Sequence, residues 1–157
     1  MKIKSIIIGS LAVYLGAVAL LAPLGTAWAT YRAQHGSFCH YFNDTEGAGM
    51  YSGGWLGNTT GAAKGVYCPV VSDEFVDINS VSSVTLDVTE GDAGSYSKVC
   101  RADYFGWSTT CGTQYDWITG NGQAFPSVTT WNDAYDYGYL YNWVTNNSKI
   151  YGYSLWE

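Results

Sequence analysis

The chain has 157 residues, the length of a single domain. Its 7 Lys and Arg residues face 13 Asp and Glu residues, and this net charge of −6 excludes a typical nucleic-acid binder, which needs clustered cations. Aromatic residues make up 17% of the chain, a share that excludes a disordered protein because so many rings would bury themselves.

The first 29 residues have the pattern of a signal peptide. Two lysines precede an uncharged apolar run over residues 6–22, which a proline and a glycine end, and Ala27-Trp28-Ala29 then forms an A-x-A cleavage pattern. The alternative is an uncleaved anchor, because about 17 apolar residues lie at the short limit for a membrane span. We expect cleavage after Ala29, and a secreted or periplasmic domain over residues 30–157 that has no further membrane contact.

The next elements in the chain are strands separated by turns. Strands are expected over residues 38–43, 67–71, 83–89, 96–104, 109–117, 123–130, 134–144 and 149–156. Residues 83–89 are the clearest case, because their apolar and polar residues alternate. Residues 47–65 are expected to form a loop or a poorly packed edge hairpin, and Gly120-Asn121-Gly122 predicts a turn. About seven to nine strands at this spacing predict a single-domain antiparallel β-sandwich, of jelly-roll or Ig-like type.

Four cysteines, all after residue 30, indicate two disulfides in an oxidising compartment. Three pairings exist, and we expect Cys39–Cys68 and Cys100–Cys111. The second pair would close a short loop across a hairpin, and the first would tie the start of the domain to a later strand. A zinc site is the alternative, but neither spacing matches the C-x₂₋₄-C pairs typical of zinc ligands.

The last two predicted strands carry the most informative pattern, an unbroken alternation of aromatic residues that share one face. The alternation begins at Tyr135, and its candidate ligand-binding residues are Tyr137, Tyr139, Tyr141 and Trp143. Asn146-Asn147 predicts a two-residue hairpin turn, whose register would add Trp156 to this face. With the aliphatic face in the core, the row would be an exposed platform for sugar rings. The alternative, in which the row is itself the core, stays open because aromatic residues also dominate cores.

A V-x-C-P-V run begins at Val66, a pair of cysteines lies mid-chain, and an Ile-Tyr-Gly-Tyr strand begins at Ile150 and runs towards Glu157. In these motifs the chain resembles a group of uncharacterised, small exported bacterial proteins that are rich in Tyr and Ser and contain disulfides. The resemblance covers most of residues 30–157. It implies a bacterial β-sandwich outside the cytoplasm, and it brings no activity and no functional residues.

Catalytic motifs are missing from the sequence: there is no H-E-x-x-H, G-x-S-x-G, P-loop or EF-hand pattern. Asp133 and Asp136 are candidate paired carboxylates, but three residues apart on a strand they would face opposite sides. His35 and His40 could share a metal only if a turn brought them together. We therefore expect a protein that is not an enzyme.

Two acidic clusters are candidate calcium ligands, because calcium is bound by carboxylate and loop carbonyl oxygens. The clusters are Asp73, Glu74 and Asp77, and Glu90 with Asp92. The simpler interpretation is that these residues are solvated surface charges. We therefore expect no cofactor, and calcium is the alternative.

Two classes of function are open from the sequence. The first is a module that binds an extracellular polysaccharide or another polymer through the aromatic row. The second is a self-associating structural protein of an extracellular matrix, coat or filament, which low charge, abundant Tyr and Gly, and sheet edges would suit. Assembly beyond a dimer without ligand would favour the second class.

Overall fold

The structure, a computed structural model, describes residues 31–42, 50–70, 77–102, 108–131 and 137–157. The signal peptide expected over residues 1–29 lies outside these ranges. Within them the chain forms twelve strands and two short 3₁₀ turns, Gly36–Phe38 and Ile78–Ser80. The strands are β1 (Tyr31–His35), β2 (His40–Tyr41), β3 (Met50–Ser52), β4 (Trp55–Gly57), β5 (Lys64–Pro69), β6 (Ser83–Glu90), β7 (Tyr96–Ala102), β8 (Thr109–Cys111), β9 (Tyr115–Asp116), β10 (Gly120–Ala124), β11 (Tyr137–Val144) and β12 (Lys149–Trp156).

The strands form two antiparallel sheets that pack against each other. Sheet A has the order β10-β6-β12-β4-β3, and β1 also pairs with β12. Sheet B has the order β2-β5-β11-β7-β8, and β9 also pairs with β7. The predicted fold class, an antiparallel β-sandwich, is confirmed. The strand count exceeds the expected seven to nine because five of the strands have only two or three residues.

The core lies between the sheets and is built from alternate residues of the long strands. In β6, Val84, Leu86 and Val88 are buried while the residues between them face outward. In β11, Leu140 and Val144 are fully buried on the inner side. Burying an aliphatic side chain of this size stabilises the fold by about 1.5–3 kcal/mol. In β6 and β11 this alternation leaves the opposite side of the strand free to meet a ligand.

Residues 145–148 form an arch between the two sheets, and the predicted hairpin is wrong. β11 lies at the centre of sheet B, between β5 and β7, whereas β12 lies at the centre of sheet A. Asn147 does turn the chain, with a positive φ of 60°. The turn, however, is held by a residue far from it in sequence: the Asn147 N–H donates to the carbonyl oxygen of Asn58 at 2.7 Å. This tertiary contact directs the chain across the sandwich instead of back along the same sheet.

Glycine-rich stretches also differ from their predictions. Residues 120–124 form β10, where the sequence predicts a turn, because pairing with β6 supplies a full register of partners. The strand expected over residues 123–130 is irregular beyond Ala124, and the one expected over 109–117 divides into β8 and β9. The expected edge hairpin exists as β3 and β4, but Leu56 within it is fully buried, so it is not poorly packed.

Both predicted disulfides are present. Cys39–Cys68 links residues 29 positions apart, and Cys100–Cys111 links two residues that lie directly opposite each other in the β7–β8 pair. No cysteine is free, so the zinc–thiolate alternative is wrong. Two disulfides fit an oxidising extracellular or periplasmic environment. Across the ranges that the structure describes, no helix has the length and apolar character needed to cross a membrane.

Candidate ligand-binding face

The aromatic row of β11 lies on the outer side of sheet B. Burial alternates along the strand: the even-numbered residues are buried, Tyr137 is 60% exposed, and Tyr139, Tyr141 and Trp143 are half-buried. The alternative in which the row forms the core is therefore wrong. The inner positions are occupied by the aliphatic residues of β11 and by Asn142, and one strand has only one side facing the core.

Neighbouring strands extend the row into a broader surface, which we call the aromatic face. Tyr141 lies opposite Tyr67 of β5 on one side and Lys98 of β7 on the other, and Trp143 lies opposite Tyr96. His40 of β2 lies opposite Tyr67. The aromatic face consists of His40, Phe42, Tyr67, Tyr96, Tyr137, Tyr139, Tyr141 and Trp143.

The rings of the aromatic face hold one another in place. The ring centroid of Tyr141 lies 6.2 Å from that of Phe42 in an edge-on contact and 6.3 Å from that of Tyr96. Phe42 also meets Tyr67 edge-on at 6.5 Å, and His40 lies 5.5 Å from Tyr67. Rings fixed in this way lose little further freedom when a ligand stacks on them, which lowers the entropic cost of binding.

Tyr141 lies at the centre of this surface and keeps a neutral phenol. Burial, and then the neighbouring Tyr96, raise the pKa of Tyr141 above its ordinary value of 10.0. A neutral phenol can both donate and accept a hydrogen bond. At neutral pH, the centre of the aromatic face is therefore an apolar ring whose phenol group can both donate and accept a hydrogen bond.

A cation borders the aromatic face on β7. The ammonium group of Lys98 lies 5.3 Å from the centroid of the Tyr96 ring, a cation–π contact. The face therefore combines stacking surface, phenol groups and one positive charge at its edge.

Trp156 lies on the other sheet, so the prediction that it joins the aromatic row is wrong. It belongs to β12 of sheet A, where it stacks on Tyr31 with the ring centroids 5.0 Å apart and the planes at 21°. The prediction required β11 and β12 to pair. A bulge between Ile150 and Gly152 also shifts the alternation of β12, which turns Tyr153 towards the core.

Glu90 is one of the five calcium candidates, and protein donors surround its carboxylate. It is 4% exposed, and its Oε1 accepts from the N–H groups of Gly94 at 2.9 Å and Ser95 at 2.8 Å. Its Oε2 accepts from the Thr119 hydroxyl at 3.1 Å. This carboxylate closes the β6–β7 turn.

The two other acidic candidates that the structure describes, Asp77 and Asp92, lie apart from each other. Asp77 accepts from the Asn79 N–H at 3.0 Å and begins the second 3₁₀ turn, at the opposite end of β6 from Asp92. Asp73 and Glu74 lie outside the described residues. In the part of the chain that is described, no group of three His, Cys, Asp or Glu side chains could hold a metal ion.

The remaining candidate pairs are separated or lie outside the description. His35 ends β1 in sheet A and His40 begins β2 in sheet B, so the two histidines belong to different sheets. Asp133 and Asp136 lie outside the described residues, as does Tyr135 at the start of the aromatic alternation.

The sequence did not identify half of the aromatic face, namely His40, Phe42, Tyr67 and Tyr96. Tyr67 and Tyr96 come from strands far apart in the chain, and they meet Tyr141 only through the registers of β5 and β7 against β11. Within one strand, alternation identifies the face. Between strands, only the tertiary pairing does, and no local signal in the sequence carries it.

Comparison with known proteins adds no relative to this description: no family model matches the chain, and no curated protein matches its sequence.

Proposed function

We propose that the protein is an exported, non-catalytic module that binds an extracellular polysaccharide through the aromatic face. One observation carries the proposal: the row from Tyr137 to Trp143 points outward from a sheet whose other side is the core. Aromatic rings stack on the C–H surfaces of sugars, and phenol groups exchange hydrogen bonds with sugar hydroxyls.

The shape of the aromatic face favours an extended polymer over a small solute. Its rings come from β5, β7, β11 and the β2 end, so they spread over four adjacent strands of one sheet. Adjacent strands lie about 4.8 Å apart, which makes the surface roughly 14 Å wide. A polymer can contact several of these rings at once, whereas a single sugar covers one or two.

Export is part of the proposal. The two disulfides support an oxidising environment, and the A-x-A pattern at Ala27-Trp28-Ala29 supports cleavage after Ala29. The intact mass of the protein recovered from outside the cytoplasm tests this, and we expect a chain that begins at Thr30. A membrane-bound chain that still begins at Met1 would contradict it.

Self-association in a matrix or filament is the competing function. Three of the edge strands, β2, β3 and β8, have only two or three residues each, but β10 at the other edge of sheet A has five and is the edge most open to strand addition. The aromatic face itself could meet a second copy. Size-exclusion chromatography separates the two functions: a monomer agrees with polysaccharide binding, and assembly beyond a dimer agrees with self-association.

The proposal is tested with Tyr139→Ala and Tyr141→Ala, using Leu140→Ala as a matched control from the same strand. Leu140 lies between the two tyrosines and is fully buried, so its loss should cost about 2–5 kcal/mol of unfolding free energy. The tyrosine changes should cost far less, because they lie on the outer side.

Binding to insoluble cellulose, chitin, xylan and mixed-linkage glucan is measured for the same variants. Loss of one aromatic anchor should reduce binding by about 2 kcal/mol, roughly thirtyfold, whereas folded Leu140→Ala should bind normally. Two results would overturn the proposal: full binding by both tyrosine variants, or a wild-type protein that binds none of the polymers.

A further inference from the structure

A shallow groove crosses the outer side of sheet A, on the opposite side of the sandwich from the aromatic face. Polar side chains of β6, β10 and β12 form its floor, and one aromatic ring stands at each end. The residues that matter are Thr85, Asp87, Gln123, Phe125, Ser154 and Trp156. None of them belongs to the aromatic face.

The two rings at the ends of the groove are exposed but held in position. Trp156 is 39% exposed and is stacked on Tyr31, and Phe125 is 52% exposed and meets Tyr115 edge-on at 6.2 Å. Trp156 lies opposite Ser83, and Phe125 follows the residue that pairs with Leu86. Strand spacing and rise therefore place the two Cα atoms about 12 Å apart, farther than one sugar ring reaches.

The floor between the rings is made of hydrogen-bonding groups. The side-chain amide of Gln123 donates to Asp87 Oδ1 at 2.8 Å, which orients both side chains across β10 and β6. The hydroxyl-bearing residues Thr85 and Ser154 lie opposite each other in the next row. A carboxylate with two acceptor oxygens, an amide and two hydroxyls together offer donors and acceptors for vicinal hydroxyl groups.

The charge of the groove limits its ligand. Asp87 is the one ionisable side chain among the described residues that line it. A lone carboxylate repels phosphate, sulfate and uronate groups, and no lysine or arginine in that lining would pair with them. A neutral ligand rich in hydroxyl groups, with apolar ring faces to stack on Trp156 and Phe125, fits both the charge and the shape.

We infer that this groove is a second binding site, for a neutral oligosaccharide chain. It goes beyond the proposed function, because the groove and the aromatic face share no residue and each can bind without the other. With both sites occupied, one molecule would hold two carbohydrate chains on opposite sides of the sandwich.

The test is a titration of the whole disulfide-bonded protein with neutral hexasaccharides, followed by amide NMR and by tryptophan fluorescence. Cellohexaose, xylohexaose, maltohexaose and chitohexaose are the probes, and hexagalacturonate is the anionic comparison. We expect at least one neutral probe to shift the Gln123 side-chain signal, and the anionic probe to bind more weakly.

Trp156→Ala and Phe125→Ala should each weaken this binding by about tenfold or more. Tyr151→Ala is the matched control, since Tyr151 is a 41% exposed ring on the same strand outside the groove, and it should change binding less than about twofold. Trp156→Ala could fail to fold because it leaves Tyr31 without its stacking partner. In that case, hexasaccharide binding by Phe125→Ala and Asp87→Asn tests the inference instead.

The outcomes also separate the two sites. Loss of hexasaccharide binding in Tyr141→Ala but not in Phe125→Ala would overturn the groove and leave the aromatic face as the site. No binding of any neutral probe, equal loss in Tyr151→Ala, preference for hexagalacturonate, or a Trp156→Ala effect on oligomeric state alone would each overturn the inference.

Discussion

Tyr141 lies across Gly65, so that a Cβ added to the glycine would be 3.3 Å from the Tyr141 hydroxyl oxygen and 3.5 Å from the Phe42 Cβ. A glycine inside a strand usually weakens it, because it has no side chain to pack. Here the absent side chain lets the ring from β11 cover the backbone of β5. The contact between Gly65 and Tyr141 therefore determines how closely the Tyr141 ring approaches the backbone of β5.

Gly65→Val is therefore expected to lift the Tyr141 ring and to reduce polysaccharide binding by about tenfold, without unfolding the protein. Valine favours strands, which offsets part of the crowding. Gly122→Val is the control, because nothing lies within 4 Å of a Cβ added there. Pull-down and thermal melting of both variants check the expectation, and normal binding by Gly65→Val would refute the role of this pair.

Asn58 fixes the arch from inside the molecule, and its loss should be costly. Its side-chain amide donates to the carbonyl oxygens of Val144 at 2.7 Å and Ala62 at 2.8 Å, and its Oδ1 accepts from the Thr60 N–H at 3.0 Å. Asn58→Ala would leave buried partners unsatisfied and lower the unfolding free energy by about 3 kcal/mol. Thr59→Ala, an exposed neighbour, should stay within about 0.5 kcal/mol. Urea unfolding measures both, and similar values for the two would show that the arch does not depend on Asn58.

The two disulfides should contribute unequally. In the loop-entropy model, the 29-residue and 11-residue separations correspond to about 3.6 and about 2.8 kcal/mol. Cys68 Sγ is also close to the buried Asn142 side-chain amide, at 3.3 Å, which adds to the loss when it is replaced. The double change of Cys39 and Cys68 to alanine should therefore destabilise the protein more than that of Cys100 and Cys111. Chemical denaturation ranks the two variants, and the reverse order would contradict the expectation.

Tyr153 should make the stability fall at alkaline pH. Its side chain is buried, its hydroxyl contacts Gln34 Oε1 and the Pro69 carbonyl oxygen, and burial raises its pKa well above the ordinary 10.0. The neutral phenol therefore stabilises the folded state fully below pH 10, and this contribution is lost as the pH rises through the folded-state pKa.

Tyr153→Phe should lose about 1 kcal/mol at neutral pH and show a shallower fall of unfolding free energy above pH 10. Tyr31→Phe, which changes an exposed phenol, is the control for loss of a hydroxyl and should stay within about 0.5 kcal/mol of the wild type at neutral pH. Denaturant titrations between pH 8 and about pH 12 compare the slopes. Identical slopes for wild type and Tyr153→Phe would exclude Tyr153 as the source.

Much of the fold could be predicted where the signal is local. Alternation separated the two faces of β6 and of β11, although in β11 it left open which face is the core, and the even cysteine count with the short loop between Cys100 and Cys111 led to both disulfides. The alternation and the Cys100–Cys111 pair could be predicted because each lies within one strand or one short loop. The outward direction of Tyr141 follows once Leu140 and Val144 are placed in the core.

The partner strands could not be predicted in the same way. Asn146-Asn147 suits a hairpin and an arch equally well, and the choice depends on Asn58, which lies far away in sequence. The wrong hairpin prediction placed Trp156 in the same sheet as β11, whereas it lies in sheet A. It also concealed the groove, because Phe125 and Trp156 approach each other only through the pairing of β6 with both β10 and β12.

The arch also sets the order in which the molecule can be assembled. β11 pairs with β5 and β7, and β12 pairs with β1, β4 and β6, so every described partner of the two central strands precedes residue 137. Among the described strands, a nascent chain that still lacks this segment can pair only in groups of two or three, and a two-stranded group is marginally stable at best. Both halves of the sandwich are therefore completed together and late, by non-local pairing that is intrinsically slow. For a chain that is exported, as proposed above, this delay would leave the chain unfolded, and so able to pass through a translocation channel, until most of it has crossed the membrane.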